Sequence, residues 1–233
     1  MNISIVIAQE EHYKFAQEIC DTMYASAIQR GTGIAKRSPE YIIKKMENRD
    51  AIIAIGDGRF AGFCYIESWS HGKFVANSGL IVHPDFRNLG LAKKIKERVF
   101  NYSQEKFPGA KIFGITTGLA VMKINSDLGY KPVPFSELTD DPTFWKGCSG
   151  CNNFDILQRK DYKMCLCTGM LYDPAEKKNE KEEDQYTFNK KVLARLKSIK
   201  QALFLGKDKE ETSPKKDDEK KLFLFVSMLK SLF

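Results

Sequence analysis

Residues Arg87-Asn88-Leu89-Gly90-Leu91-Ala92 set a cation three positions before a glycine and a small residue two positions after it. They lie between an apolar run, Ser78-Gly79-Leu80-Ile81-Val82, and a helical repeat of Leu91, Ile95, Val99 and Phe100 with lysines between. A strand, a tight turn and a helix in that order present unpaired backbone N–H groups at the positive end of the helix, a setting that suits a pyrophosphate. Arg87 at the mouth adds a charge-assisted contact. A second constellation is Cys148-Ser149-Gly150-Cys151, followed after thirteen residues by Cys165-Leu166-Cys167. Four thiols in two close pairs suit tetrahedral zinc, which would be structural because protein would fill all four positions. Reduced buried thiols and a redox pair are the competing readings. Cys20 and Cys64 sit in apolar patterns and read as core.

The elements that must position these groups follow from periodicity. Asn2–Ile7 alternates as a strand, and Phe15, Ile19, Met23, Tyr24 and Ala27 repeat at helical spacing. Ser38-Pro39 reads as an N-cap followed by proline at the first helical position, with the helix running to Asn48. Ala51–Ile55 and Phe60–Ser68 form a hairpin around Gly56-Asp57-Gly58. The strand before the Arg87 loop and the helix after it come next, then a strand Lys111–Thr117, a short helix ending at Gly129, and a strand Tyr130–Pro134. Asn153–Gln158 and Tyr162–Leu171 read as a second hairpin joined at Arg159-Lys160-Asp161. Beyond Pro174 come a charged linker, an amphipathic helix from Phe188 to Phe204, a lysine- and acid-rich run and an apolar ending. The expected division is 1–140, a catalytic-type domain; 141–174, a Cys-rich hairpin module; and 175–233, a tail whose apolar end docks within a homodimer.

Composition bounds the function. With 233 residues, 42% of them hydrophobic, one domain with a full core and appendages is expected. Net charge is +7, from 37 Lys+Arg against 30 Asp+Glu. That excess is too mild to argue for nucleic acid. The first residues show no signal-peptide pattern, and no apolar stretch approaches the roughly 20 residues of a membrane span. A soluble, cytoplasmic protein is the expectation.

The Arg-x-x-Gly-x-Ala spacing, its His83-Pro84-Asp85-Phe86 lead-in and the flanking strand and helix resemble the acetyl-CoA loop of the GNAT family of N-acetyltransferases. The element order of residues 1–140 is also that family's. The resemblance implies an α/β (α+β) fold with a mixed sheet whose two central parallel strands splay. It implies that the backbone of Leu80, Ile81 and Val82 holds the pantetheine of an acyl-CoA. Arg87, Asn88, Leu89, Gly90, Leu91, Ala92 and Lys93 then hold the pyrophosphate, and the Val82 N–H serves as an oxyanion donor. Many members carry a tyrosine acid four residues before a Gly-Phe/Tyr pair. Here the pair is Gly129-Tyr130 and the position is Asn125, which can still bond the thiol or pantetheine. Glu67 acting through water is the first candidate base, with His71 second.

The acceptor side resembles the acetyltransferase domain of N-acetylglutamate synthases. Gly33-Ile34-Ala35-Lys36-Arg37-Ser38 lies before a helix, and Thr116-Thr117 ends the strand after the CoA helix. Arg37 can grip a carboxylate in a bidentate fashion, with Lys36, Ser38, Thr116 and Thr117 beside it. Gly118 stands where the synthases continue with an arginine. The function implied is transfer of an acetyl or succinyl-type group to a small, glutamate-like amino acid, with arginine formation as the implied pathway. A protein or polyamine acceptor, and a non-catalytic CoA-binding regulatory module, are the alternatives.

Overall fold

The computed structural model describes residues 2–31 and 37–176. Contacts divide the chain into Met1–Lys178 and Asn179–Phe233. Lys36 and the expected tail beyond residue 176, with its amphipathic helix and apolar end, lie outside the described residues.

In chain order the elements are β1 (Ile3–Ile7), α1 (Ala16–Arg30), α2 (Pro39–Glu47), β2 (Ala51–Gly56), β3 (Arg59–Trp69), β4 (Phe74–Val82) and α3 (Leu91–Lys106). There follow β5 (Lys111–Thr116), α4 (Leu119–Asp127), β6 (Lys131–Val133), α5 (Pro142–Lys146), α6 (Phe154–Arg159) and β7 (Thr168–Tyr172). Their strands form one sheet in the order β1-β2-β3-β4-β5-β7-β6. Among the described residues only the β4–β5 pair is parallel.

Local chemistry explains the boundaries. The Ser38 hydroxyl accepts the Tyr41 N–H at 3.3 Å, and Pro39 fills the first helical position of α2. Asp57 and Gly58 both have positive φ, 49° and 79°, as a two-residue hairpin turn with the native strand twist requires. β2 reads as a continuous apolar run because helices cover both faces of the sheet. Ile52 and Ala54 pack with Ile95 and Val99 of α3, while Ala51 and Ile53 pack with Ile19 of α1 and Ile42 and Met46 of α2.

The expected hairpin at 153–171 does not form. Phe154–Arg159 is helical: Leu157 is 1% exposed, and Arg159 pairs with Asp155 one turn back at 2.7 Å. Only Thr168–Tyr172 is a strand, and it inserts between β5 and β6. The segment after residue 140 therefore completes the sheet begun by the segment before it.

A buried polar junction stands where β4 leaves β5. Lys96, on α3 and 2% exposed, donates to Asn77 Oδ1 at 3.1 Å, and the Tyr130 hydroxyl donates to the same oxygen at 3.0 Å. Asn77 Nδ2 donates to Ser103 Oγ at 2.8 Å. Burial brings the Lys96 amine down to about 8 from 10.5. The unfolded chain therefore binds more protons than the folded one between those values, so folding is disfavoured below about pH 8 and the penalty fades as pH rises. Lys96→Met, which leaves Asn77 Oδ1 its Tyr130 donor, should be more stable than the parent by about 1–3 kcal/mol at pH 7. In urea unfolding, that difference should shrink towards pH 10.

Candidate active site

The site begins with the opening of the sheet. β4 shares a ladder with β5 only through Phe74, Val75 and Ala76. From Asn77 to Val82 it keeps β3 on one side, and among the described residues no strand pairs with its other edge, although β5 stays paired with β7 throughout. A bulge marks the same stretch. Phe63 pairs with Ile81 and Tyr65 with Ser78, so Gly79 and Leu80 stand opposite Cys64 alone. Gly79 has φ of +66°, and a Cβ there would overlap the Tyr65 ring and lie 2.9 Å from Met23 Cε. An open, bulged strand edge of this kind can pair with the amides of an extended ligand.

The Arg87 loop closes one end of that edge. Phe86, 4% exposed, roots it in the core, and Arg87 Nε lies 3.4 Å from the Val82 carbonyl. Asn88 and Gly90 both adopt positive φ, 63° and 69°. Gly90 caps α3 without a side-chain bond, and nothing lies within 4 Å of where its Cβ would be. The first turn of α3 thus faces open space, as an anion site needs. The Leu91 side chain is core, and Lys93 pairs with Asp127 on α4 at 3.1 Å.

Asn125 of α4 is 2% exposed, and its Oδ1 has no hydrogen-bond partner among the described residues. A buried acceptor left unpaired costs about 1–3 kcal/mol, so this atom fits a site that receives an N–H or S–H from a ligand. Asn125→Leu should raise stability by about 1–2 kcal/mol. The same change should weaken acyl-CoA binding roughly tenfold, a combination readable by thermal unfolding and ligand titration.

On the opposite face of the sheet, Arg37 Nε donates to the Tyr65 hydroxyl at 2.9 Å, and its guanidinium lies 5.0 Å from the centre of the Tyr41 ring. The Tyr41 hydroxyl donates to Glu67 Oε1. Lys45 lies 5.3 Å from the Tyr41 ring centre and 5.7 Å from that of Tyr65, and bonds the Ile66 carbonyl at 3.2 Å. Burial pushes the Tyr65 phenol up to about 12 and the Tyr41 phenol well above its usual value, so both remain donors at neutral pH. Burial also lowers the Lys45 amine. The structure thus brings Arg37 and Glu67 into one cluster of two cations, one carboxylate and two phenols. Ser38 is occupied as the cap of α2, and the Thr116 hydroxyl accepts the Gly118 N–H at 3.0 Å. Thr117 is exposed just beyond β5, and His71 is exposed in the β3–β4 turn with φ of 56°.

The four late cysteines also converge. Cys148, Cys151, Cys165 and Cys167 all line one cavity of about 20 Å³, otherwise walled mainly by Ile115, Phe135, Phe154 and Leu157. All are free thiols. As they stand, no group of three or more His, Cys, Asp or Glu side chains among the described residues is arranged to hold a metal ion.

Residues 20–120 match the family model for the acetyltransferase (GNAT) family. The chain carries a GNAT acetyltransferase domain. Solved structures with the same fold include the N-acetylglutamate synthase of Neisseria gonorrhoeae complexed with coenzyme A and N-acetyl-glutamate, at TM-score 0.53 and 13% identity over 74% of this chain. This chain spans 35% of that synthase. Rv2747 from Mycobacterium tuberculosis, in complex with CoA, gives 0.53 and 13% over 73% of this chain and 98% of its own. The Salmonella typhimurium protein yncA, with acetyl-CoA, gives 0.51 and 15% over 74% and 94%. No curated protein matches the chain in sequence. The splayed parallel pair and the mixed sheet are the GNAT architecture expected from the sequence, and β7 is the strand it did not place. No helix among the described residues is long and apolar enough to cross a membrane.

Tyr41, Tyr65 and Lys45 of the GNAT domain escaped the sequence reading. The signal was present as two series: Tyr41 and Lys45 one turn apart on α2 with Arg37 four positions ahead of Tyr41, and Tyr65 and Glu67 two apart on β3.

Proposed function

We propose that the domain transfers an acyl group from acyl-CoA to the amino group of a small amino acid. One observation carries this reading: Arg37 donates to Tyr65, whose ring lies against the Gly79 bulge of the open strand edge. A carboxylate held by Arg37 would thus sit close to any ligand lying along β4.

Acyl-CoA supplies the activated thioester carbonyl. The α3 N-terminus with Arg87 holds its pyrophosphate, the β4 edge from Leu80 to Val82 holds the pantetheine, and Asn125 Oδ1 accepts from its thiol or amide end. Arg37 orients the acceptor carboxylate, and Lys45 adds positive potential beside it. Glu67, fixed by Tyr41, receives the proton that the acceptor ammonium must lose before attack, directly or through one water. The Val82 N–H faces the developing negative charge. The fold shared with a synthase crystallised with N-acetyl-glutamate makes glutamate the first acceptor to try and arginine formation the first pathway to consider. Arg37 and Lys45 both disfavour a cationic acceptor such as a polyamine or a protein lysine.

Free-thiol release from acetyl-CoA and succinyl-CoA, measured across α-amino acids, spermidine and a lysine peptide, tests the reading. Saturable turnover with an acidic amino acid is expected. Turnover confined to spermidine or the peptide, or acyl-CoA binding with no turnover, would overturn it.

A further inference from the structure

We propose that Cys148, Cys151, Cys165 and Cys167 close on one zinc ion, which ties the chain after α5 to the chain entering β7. The four thiols come from two segments separated by α6, yet all line the same cavity of about 20 Å³, room for a single small occupant. No carboxylate or imidazole lines it, so the donor set is four sulfurs, a soft tetrahedral set that selects zinc over magnesium or calcium. The backbone N–H of Asn153 already points at Cys151 Sγ from 3.4 Å, an outer bond of the kind that steadies a thiolate ligand. Cys165 Sγ lies 3.8 Å from the Asn153 carbonyl, a contact only a protonated thiol can make as donor. All four cysteines are free in this structure, and none is disulfide-bonded. Zinc would draw them to about 2.3 Å from the metal and release their protons to solvent.

Buried Trp145 and Leu157 anchor the segment, but its regular structure is short. Between β6 and β7 its α-helices have five and six residues, too short to persist alone, while Met164 and Leu166 are 61% and 63% exposed. A bound metal supplies the missing cross-link. Its position gives it a consequence for the acceptor side. Arg37 Nη2 lies 4.0 Å from where a Cβ on Gly147 would stand, and its charge reaches the Cys148 thiol. The metal would then fix the wall behind Arg37, and Arg37 would offset part of the tetrathiolate charge.

Metal analysis of the full chain, purified without chelator, should find one zinc per chain. Titrating the metal-free chain with Co²⁺ should produce the visible bands of a tetrahedral thiolate site. Each of the four Cys→Ser changes should lower the zinc content, and Cys20→Ser should not. A chain without zinc that also develops no cobalt–thiolate bands would overturn the proposal, as would a disulfide linking these cysteines in the protein as isolated. The cobalt titration needs no variant, so misfolded variants leave the proposal testable. Zinc removal should also raise acceptor KM more than acyl-CoA KM, by roughly tenfold. That second effect rests on the acceptor role of Arg37: zinc present without it would overturn the coupling to the acceptor side while the metal site stands.

Discussion

Arg37→Ala is expected to raise the acceptor KM by roughly 10- to 100-fold while leaving acyl-CoA binding near its parent value. Charge-assisted hydrogen bonds are worth about 1.5–3 kcal/mol, and each 1.36 kcal/mol is a factor of ten. The arginine is half-buried, stacked on Tyr41 and bonded to Tyr65, so its side chain is held in place before a substrate arrives. Arg37→Lys keeps the charge but loses the planar fork, and should recover only a small part of the affinity. Steady-state kinetics with each substrate varied in turn separates the two effects. Equal losses for acceptor and acyl-CoA would mean that Arg37 supports the fold rather than the acceptor.

Gly79→Ala should be the most damaging of the single-methyl changes. A left-handed backbone costs a non-glycine residue about 1–2 kcal/mol, and overpacking adds about 1–3 kcal/mol. The new methyl overlaps the Tyr65 ring, which must move and take the Arg37 bond with it. Stability should therefore fall by about 2–5 kcal/mol, with acceptor turnover largely lost. Gly90→Ala is the matched control. Its φ of +69° is nearly the same, but nothing lies within 4 Å of the added Cβ. It should cost only about 1–2 kcal/mol. Denaturant unfolding of the pair tests whether packing at the bulge, rather than backbone conformation alone, sets the cost.

What could be read from the sequence was local. The Arg87 loop was legible because a glycine at an αL position, a buried anchor at Phe86 and a helix start are all written within eight residues. The Ser38-Pro39 cap and the Asp57-Gly58 turn were legible for the same reason. The segment from Asn153 to Tyr172 misled because Phe154 and Leu157 fit a short strand as readily as one turn of helix. Nothing local says that Thr168–Tyr172 inserts between two strands that precede it in the chain. The cluster around Arg37 was half visible. Arg37 and Glu67 stood out as charges, whereas Tyr41 and Tyr65 look like core until Arg37 is found against them. Lys96 was hidden among the lysines of α3, where only its place beside the Leu91, Ile95 and Val99 stripe marks it as inward-facing.

The most direct test of the account is a two-by-two comparison of kcat/KM. It sets the parent against Arg37→Ala, and the best amino-acid acceptor against its α-amide, which keeps the amine and loses the carboxylate charge. The parent should favour the free acid by roughly 10- to 100-fold, and Arg37→Ala should treat the two almost alike. Equal discrimination in both proteins would contradict it, and would place the carboxylate, or the acceptor itself, away from Arg37.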